Sequence, residues 1–277
     1  MAVLYLVATP IGNLEDVTLR ALRVLKEVDL IAAEDTRKTR RLLDAYDIKT
    51  RMTSYHEHSK QAKLAYLLDW LKQKDLALVS EAGTPGLSDP GYRLVTAAAE
   101  QGIPVVAIPG PSVVVSAVTV SGLPAHQFTY LGFLPRKKGE RLRLLKSLAT
   151  EPRTLVAFEA PHRLSATLGD LASVLGNRRI AIARELTKLH EEVFRGTIQE
   201  AMEHFQQARG EFTLVIEGHK GPGSPPLTSE IEEQLRRLRK QGVGARQAAA
   251  RLAQETGLSR KVLYRAWLEL PDHGIEA

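Results

Sequence analysis

The chain has 277 residues and no cysteine, which excludes disulfide bonds, thiolate metal sites and cysteine nucleophiles. No apolar run approaches the roughly 20 residues that cross a bilayer, and Met1 to Ala8 lacks the basic region of a signal peptide. We therefore expect a soluble protein of the reducing cytoplasm, with no membrane partner. The net charge of +6 suits a polyanionic partner.

Strands and helices alternate through the first 121 residues. Short apolar runs predict strands, and the amphipathic segments that follow them predict helices. The predicted strands are Val3–Ala8, Leu30–Ala33, Met52–Tyr55, Leu76–Val79 and Val105–Ile108. The predicted helices start at the cap Asp16, at Glu34–Arg37, at His56–Ser59, at Tyr92 and at Val113. This order favours an α/β fold with a mostly parallel sheet.

Loops with ligand-binding composition follow four of these strands. They are Pro10–Asn13, Glu34–Arg37, Ser80–Gly91 and Pro109–Ser112. In open α/β sheets, ligands sit beyond the carboxyl ends of the strands. We therefore expect the four loops to converge on one cleft.

The loop Ser80–Gly91 is the most specialised of the four. Three glycines within nine residues let its backbone turn sharply and approach a ligand, and two prolines keep it stiff. Glu81 and Asp89 supply carboxylates for hydroxyl, amine or cationic groups. Asp89 has a second interpretation as the cap of the next helix, with Pro90 at the first helical position.

A second folding region follows Gly122-Leu123-Pro124. Its predicted strands are Phe128–Phe133, Thr154–Phe158, Ile180–Glu185, Glu191–Thr197 and Phe212–Glu217. Helices are predicted after the basic loop at 135–138 and over Gln199–Gln206. Short turns between several strands indicate a mixed or antiparallel sheet.

The last region is a basic helical unit behind a Pro/Gly linker at residues 221–226. Leu227 to Leu270 carries a net charge of +4 out of the total of +6. Ala253, Gly257 and Leu263 have helix-turn-helix spacing, with Gly257 at the turn and Ser259 as the cap of the second helix. That helix carries the cations Arg260, Lys261 and Arg265. The alternative is a three-helix packing module whose basic face contacts only solvent.

Eight motifs occur in an order that is specific as a set. They are Ala8-Thr-Pro-Ile-Gly-Asn-Leu-Glu-Asp, Ala33-Glu-Asp-Thr-Arg, Glu81-Ala-Gly-Thr-Pro-Gly-Leu-Ser-Asp-Pro-Gly, Pro109-Gly-Pro-Ser, Gly132-Phe-Leu-Pro, Glu159-Ala-Pro-His-Arg, Ala183-Arg-Glu-Leu-Thr-Lys and Gly210-Glu-Phe-Thr-Leu-Val-Ile-Glu-Gly. Over about residues 3–219 the chain resembles the bacterial small-subunit ribosomal RNA cytidine 2′-O-methyltransferases. These belong to the tetrapyrrole-methylase superfamily, and the helical tail resembles their C-terminal module. The chain departs from the family pattern at Glu81, where Asp is usual, and at Ser59, where Asn is usual.

The resemblance implies two α/β lobes, 1–121 and 122–220, with S-adenosylmethionine (SAM) in the cleft between them. The helical module then covers 227–277, and the protein is expected to form a homodimer. The implied cofactor-binding residues are Pro10, Gly12, Glu81, Ala82, Gly83, Thr84, Pro85, Ser88, Asp89, Pro109, Gly110, Ser112, Leu131, Phe158, Glu159 and Thr213.

The implied reaction moves the SAM methyl group to a ribose 2′-oxygen in the decoding region of small-subunit RNA, either free or in the assembled subunit. It requires a base but no metal. Glu34, Asp35 and Glu185 are the candidate bases. Glu34 is our first choice because Asp35 is equally explained as a helix cap. Side chains expected to contact RNA are Arg37, His56, Arg163, Arg184, Lys188, Arg260, Lys261 and Arg265. The alternative for Arg37, Arg163, Arg184 and Lys188 is that they orient a carboxylate.

Two other functions remain open at this point. The chain has the same superfamily features as enzymes that methylate a tetrapyrrole or another small molecule. It also has the parts of a ligand-sensing regulator whose tail reads nucleic acid. Incorporation of labelled methyl groups from SAM into RNA from cells that lack the gene separates these possibilities.

Overall fold

The computed structural model describes residues 2–56, 59, 61–86, 91–221 and 227–270. The chain divides into two compact units, Met1–His219 and Lys220–Ala277. The finer limits predicted at residues 121, 220 and 226 stay predictions. Within the described ranges, no helix is both long and apolar enough to cross a membrane.

The first sheet of the larger unit is parallel throughout. Its strands are β1 (Leu4–Val7), β2 (Leu30–Ala33), β3 (Met52–Ser54), β4 (Leu76–Val79) and β5 (Val105–Ile108), in the order β3-β2-β4-β1-β5. The connecting helices are α1 (Leu19–Glu27), α2 (Thr36–Ala45), α3 (Gln61–Trp70), α4 (Tyr92–Glu100) and α5 (Val113–Ser121). Strands β2 and β4 are wholly apolar and buried because helices cover both faces. The predicted parallel sheet is confirmed.

Two helix starts differ in how well the sequence predicted them. Asp35 caps α2 as expected, since its carboxylate accepts hydrogen bonds from the N–H groups of Arg37 and Lys38. The prediction that Asp16 caps α1 was wrong. Asp16 ends a short 3-10 turn, and Thr18 caps α1 instead by accepting a hydrogen bond from Ala21. Asp89, whose capping role was one interpretation, lies outside the described residues.

The second sheet is mixed, as predicted. Its strands are β6 (Phe128–Phe133), β7 (Thr154–Glu159), β8 (Arg179–Arg184), β9 (Glu192–Thr197) and β10 (Phe212–Ile216), in the order β6-β7-β10-β8-β9. Only the β6–β7 pair among these described strands is parallel. The helices of this region are α6 (Lys138–Ser147), α7 (Leu164–Leu175) and α8 (Ile198–His204).

Helix α5 joins the two sheets into one unit. Its side chains Val114, Ala117 and Val118 share a buried cluster with Val156 of β7 and Val215 of β10. This contact explains the apolar face formed by Val114, Ala117 and Val118. Val115 and Val120, on other sides of the helix, are exposed. The cluster fixes the carboxyl edge of the first sheet against the second.

The second lobe contains a buried ion pair with a measurable role in stability. Arg141 of α6 donates to the Asp170 carboxylate of α7 from Nε at 2.8 Å, and the two residues are 4% and 7% exposed. We expect Asp170→Ala to lower the free energy of unfolding by about 3–5 kcal/mol, because it leaves a buried guanidinium without its counter-charge. Denaturant unfolding measures this loss. Glu27→Ala, which removes the exposed partner of Arg23, is the control and should change stability little.

The smaller unit consists of α9 (Ser229–Lys240), α10 (Ala245–Thr256) and α11 (Arg260–Glu269) around one apolar core. Gly257 adopts a left-handed φ of 72° at the end of α10, and Ser259 caps α11 through Val262 N–H. The predicted turn and cap are therefore confirmed.

Candidate active site

The four loops after the strands of the first sheet lie together, as predicted, over their described parts. Thr9 and Gly83 exchange two backbone hydrogen bonds, of 2.9 and 3.0 Å. The Thr84 hydroxyl donates to the Pro111 carbonyl at 3.3 Å. The Glu81 N–H donates to Glu34 Oε2 at 3.0 Å. These bonds link all four loops into one rim, as expected for parallel strands whose carboxyl ends share an edge.

Two positions in this rim require glycine, each for a different physical reason. Gly83 has a φ of +75°, which side-chain-bearing residues rarely adopt. At Gly12, an added Cβ would lie 2.5 Å from Lys188 Cγ and 2.7 Å from Thr187 Oγ1. Gly12 therefore lets the loop after β1 pack against the loop after β8, where the two lobes meet.

A cavity of about 450 Å³ opens between the rim and the second sheet. The first lobe contributes the lining residues Glu34, Glu81, Ala82, Gly83, Thr84, Ser112, Val113 and Val114. The second lobe contributes Phe133, Phe158, Glu159, Ala160, Pro161, Glu211, Phe212 and Thr213. A cavity of this size is in the range that holds small ligands and cofactors.

Aromatic rings form one wall of the cavity. Phe158 packs edge-to-face against Phe133, with ring centroids 5.4 Å apart, and against Tyr130 at 5.3 Å. These contacts hold Phe158 in a fixed orientation. The wall offers an apolar surface suited to a planar heterocycle.

Four carboxylates line the same cavity, and they differ in what they contact. Glu81 pairs with Lys38, and Glu211 pairs with Lys188 at 2.9 Å. Glu159 is buried, and its oxygens accept hydrogen bonds within its own lobe, from Ala160 N–H, Arg163 and the Thr167 hydroxyl. The remaining carboxylate, Glu34, accepts one bond at Oε2. Within the described residues, its Oε1 has no hydrogen-bond partner.

Comparison with known proteins identifies the family of this fold and cavity. Residues 3–202 match the family of tetrapyrrole (corrin/porphyrin) methylases, and residues 225–271 match the RsmI C-terminal HTH domain. The chain is 48% identical over 279 residues to the Ribosomal RNA small subunit methyltransferase I of Synechocystis, covering 99% of this chain and 100% of that protein. The chain belongs to this family of tetrapyrrole methylases.

Two further similarities are informative. The protein of the same name from Thermotoga maritima is 51% identical over 221 residues, which cover 99% of that protein but 79% of this chain. The crystal structure of uroporphyrin-III-C-methyltransferase from Thermus thermophilus matches with a TM-score of 0.55 at 22% identity, covering 78% of this chain and 94% of that one. At this identity the match shows the fold alone.

The three candidate bases of the methylase have different surroundings. Glu34 lines the cavity. Asp35 is engaged as the α2 cap, and hydrogen bonds from the N–H groups of Arg37 and Lys38 lower its pKa. Burial of Glu185 opposes its ionisation, but bonds from Glu211 N–H and Lys188 outweigh this effect and lower its pKa. A carboxylate with a lowered pKa is a weaker base, which counts against Asp35 and Glu185. Glu34 stays our first choice because it lines the cavity and its Oε1 has no hydrogen-bond partner within the described residues.

Other predicted cofactor residues do not line the cavity. These are Pro10, Gly12, Pro85, Pro109, Gly110 and Leu131. Ser88 and Asp89 lie outside the described residues. Conversely, Val113, Val114, Phe133, Ala160, Pro161, Glu211 and Phe212 line the cavity without having been predicted. Five of them lie inside one of the eight motifs, and Val113 and Val114 directly follow the motif Pro109–Ser112. Considering every motif residue, and the two residues after each motif, would have found them.

The predicted RNA-contacting side chains of the larger unit separate into two groups. Three are engaged within the protein: Arg163 with Glu159 and the Leu134 carbonyl, Arg184 with Glu192, and Lys188 with Glu185 and Glu211. Arg37 and His56 are exposed, and Arg37 also forms an ion pair with Asp35 at 3.5 Å. The ion pairs of Arg163, Arg184 and Lys188 stabilise the second lobe. A role in contacting RNA stays a prediction for all five side chains.

Proposed function

We propose that this methylase transfers the methyl group of SAM to the ribose 2′-hydroxyl of a cytidine in the decoding region of small-subunit ribosomal RNA. The observation that carries this proposal is the full-length match, at 48% identity, to a protein named for methylation of small-subunit ribosomal RNA. The eight motifs in family order support the finer assignment to a cytidine 2′-hydroxyl.

The lining of the cavity fits SAM. The aromatic wall at Phe158 suits the adenine ring, and the Gly83 backbone allows a close approach. Of the four cavity carboxylates, Glu34 has no ion pair within the described residues, and its charge complements the positive charges of the sulfonium and amino groups. When bound, SAM supplies an electrophilic methyl group.

The chain itself must position the ribose hydroxyl and accept its proton. Glu34 is the proposed base, because Glu81 N–H holds its Oε2 and leaves Oε1 to take the proton. The same hydrogen bond connects the base to the loop that contains Gly83. Orientation of the base is thus coupled to the loop proposed to hold the cofactor.

Mapping ribose methylation in ribosomal RNA tests the proposal. RNA from cells that lack the gene should miss one cytidine 2′-O-methyl group, and adding the purified protein with SAM should restore it. Free RNA and isolated small subunits, tested in parallel, identify the form of the substrate. Label that enters a base, another RNA or only a small molecule would contradict the proposal. Label that enters only a small molecule would favour a small-molecule methylase, and no transfer together with SAM-dependent nucleic-acid binding would favour a regulator.

Removal of the C-terminal unit is expected to separate RNA binding from cofactor binding. The Thermotoga maritima relative has no counterpart for about a fifth of this chain, a share that matches Lys220–Ala277. A chain cut after Gly221 should therefore bind SAM with unchanged affinity. It should need more RNA for half-maximal methylation and respond less to salt, because fewer counterions are released from the RNA.

Titration calorimetry with SAM and methylation rates across RNA and salt concentrations measure the two effects. If the truncated chain fails to bind SAM, the unit supports the fold of the rest. The homodimer implied by the resemblance stays a prediction, which sedimentation of the intact and truncated chains would test.

A further inference from the structure

A second pocket, of about 450 Å³, lies within the C-terminal unit between α10 and α11. Its lining residues are Arg246, Ala249, Ala250, Arg260, Lys261 and Tyr264. Three of the six are cations, one is aromatic and none is acidic. The two alanines leave room that larger side chains on α10 would fill.

The cations of this pocket differ from most others in the unit. Arg236 and Arg237 of α9 and Arg251 of α10 form ion pairs with glutamates on their own helices. The side chains of Arg246, Arg260 and Lys261 have neither an ion pair nor a hydrogen bond within residues 227–270. Among residues 227–270, positive charge without an acidic partner therefore concentrates at the pocket.

Tyr264 adds a feature that a simple basic surface lacks. Its side chain is 38% exposed and lies one helical turn from both Arg260 and Lys261. An exposed aromatic ring beside unpaired cations matches the chemistry of a nucleotide, which has a planar base and a phosphate. A duplex-reading helix presents its side chains outward to a groove, whereas here side chains of two helices line a shallow, open hollow.

We propose that the pocket between α10 and α11 holds one unpaired nucleotide of the RNA substrate. The base stacks on Tyr264, and Arg246, Arg260 and Lys261 contact the flanking phosphates. This inference rests on the proposed function for the identity of RNA as substrate. It adds a recognition site in the C-terminal unit for single-stranded RNA rather than for duplex.

The test measures binding of a fluorescent single-stranded oligoribonucleotide to the full-length chain by anisotropy. Arg246→Gln and Lys261→Gln should each weaken binding several-fold and reduce the salt slope by about 0.7. Tyr264→Leu should weaken binding about tenfold with the salt slope unchanged, and Tyr264→Phe should retain affinity because it keeps the ring. Lys240→Gln removes a cation that is also unpaired among residues 227–270 but lies outside the pocket, and it should have less than about a twofold effect.

Three results would contradict the proposal that this pocket binds a nucleotide. They are an equal loss with Lys240→Gln, full affinity in Tyr264→Leu, and equal competition by a duplex of the same length. Thermal unfolding and SAM affinity, both expected to match the unsubstituted chain, exclude misfolding. If the pocket variants weaken RNA binding as expected but the protein methylates no RNA, the proposed function is wrong and the pocket proposal stands. If RNA is methylated and no pocket variant changes the RNA affinity, only the pocket proposal is wrong.

Discussion

Replacing Glu34 with Gln is expected to lower the rate of methyl transfer by about 10²–10⁴-fold, with SAM affinity nearly unchanged. The substitution removes the group proposed to accept the ribose proton. A Gln side-chain oxygen can still accept the hydrogen bond that Glu81 N–H now donates to Glu34 Oε2. The loop that contains Gly83 should therefore keep its position. Single-turnover kinetics at saturating SAM, with calorimetry for the cofactor, measure the two quantities separately.

Glu34→Ala is the matched control, because it removes both the base and the acceptor for Glu81 N–H. It should reduce SAM affinity as well as the rate, and this difference separates catalysis from support of the loop. A near-normal rate in Glu34→Gln would remove Glu34 as the base. Attention would then return to Asp35 and Glu185, despite the lowered pKa of each.

Gly83→Val is expected to reduce SAM affinity at least about 100-fold while the fold is retained. Gly83 has a φ of +75°, and its Cβ would already lie 3.4 Å from Ile11 Cγ2 before the branches of valine are added. The loop must therefore shift, and with it the two hydrogen bonds between Gly83 and Thr9. A β-branched side chain would also enter the space that we assign to the cofactor.

Gly86→Val is a stringent control for this experiment. Gly86 has a similar φ of +84°, but an added Cβ there meets no atom of the described residues within 4 Å, and Gly86 does not line the cavity. Valine at this control position also has to adopt a positive φ, but it does not contact Ile11 or enter the proposed cofactor space. Circular dichroism checks the fold, and calorimetry measures SAM affinity. Unchanged affinity in Gly83→Val, or an equal loss in both variants, would remove Gly83 from the cofactor site.

The sequence by itself determined the features that depend on local patterns. Apolar runs and the intervening helices specified a parallel first sheet, and the carboxyl ends of parallel strands necessarily share an edge. The convergence of the loops that contain Glu34 and Gly83 followed from this alone. Asp35 as a cap and Gly257 as a turn were equally predictable, because each involves only its immediate neighbours.

Only the tertiary structure decided which polar side chains have hydrogen-bond or ion-pair partners within the protein. Glu185 accepts a hydrogen bond from the N–H of Glu211, 26 residues further along the chain, and Arg163 donates to the carbonyl of Leu134, 29 residues before it. Neither partner is marked by spacing or periodicity. The availability of a carboxylate for proton transfer depends on its burial and its partners. Both are set for Glu185 when β8 pairs with β10. Glu34 lines the cavity, and its Oε1 has no hydrogen-bond partner among the described residues.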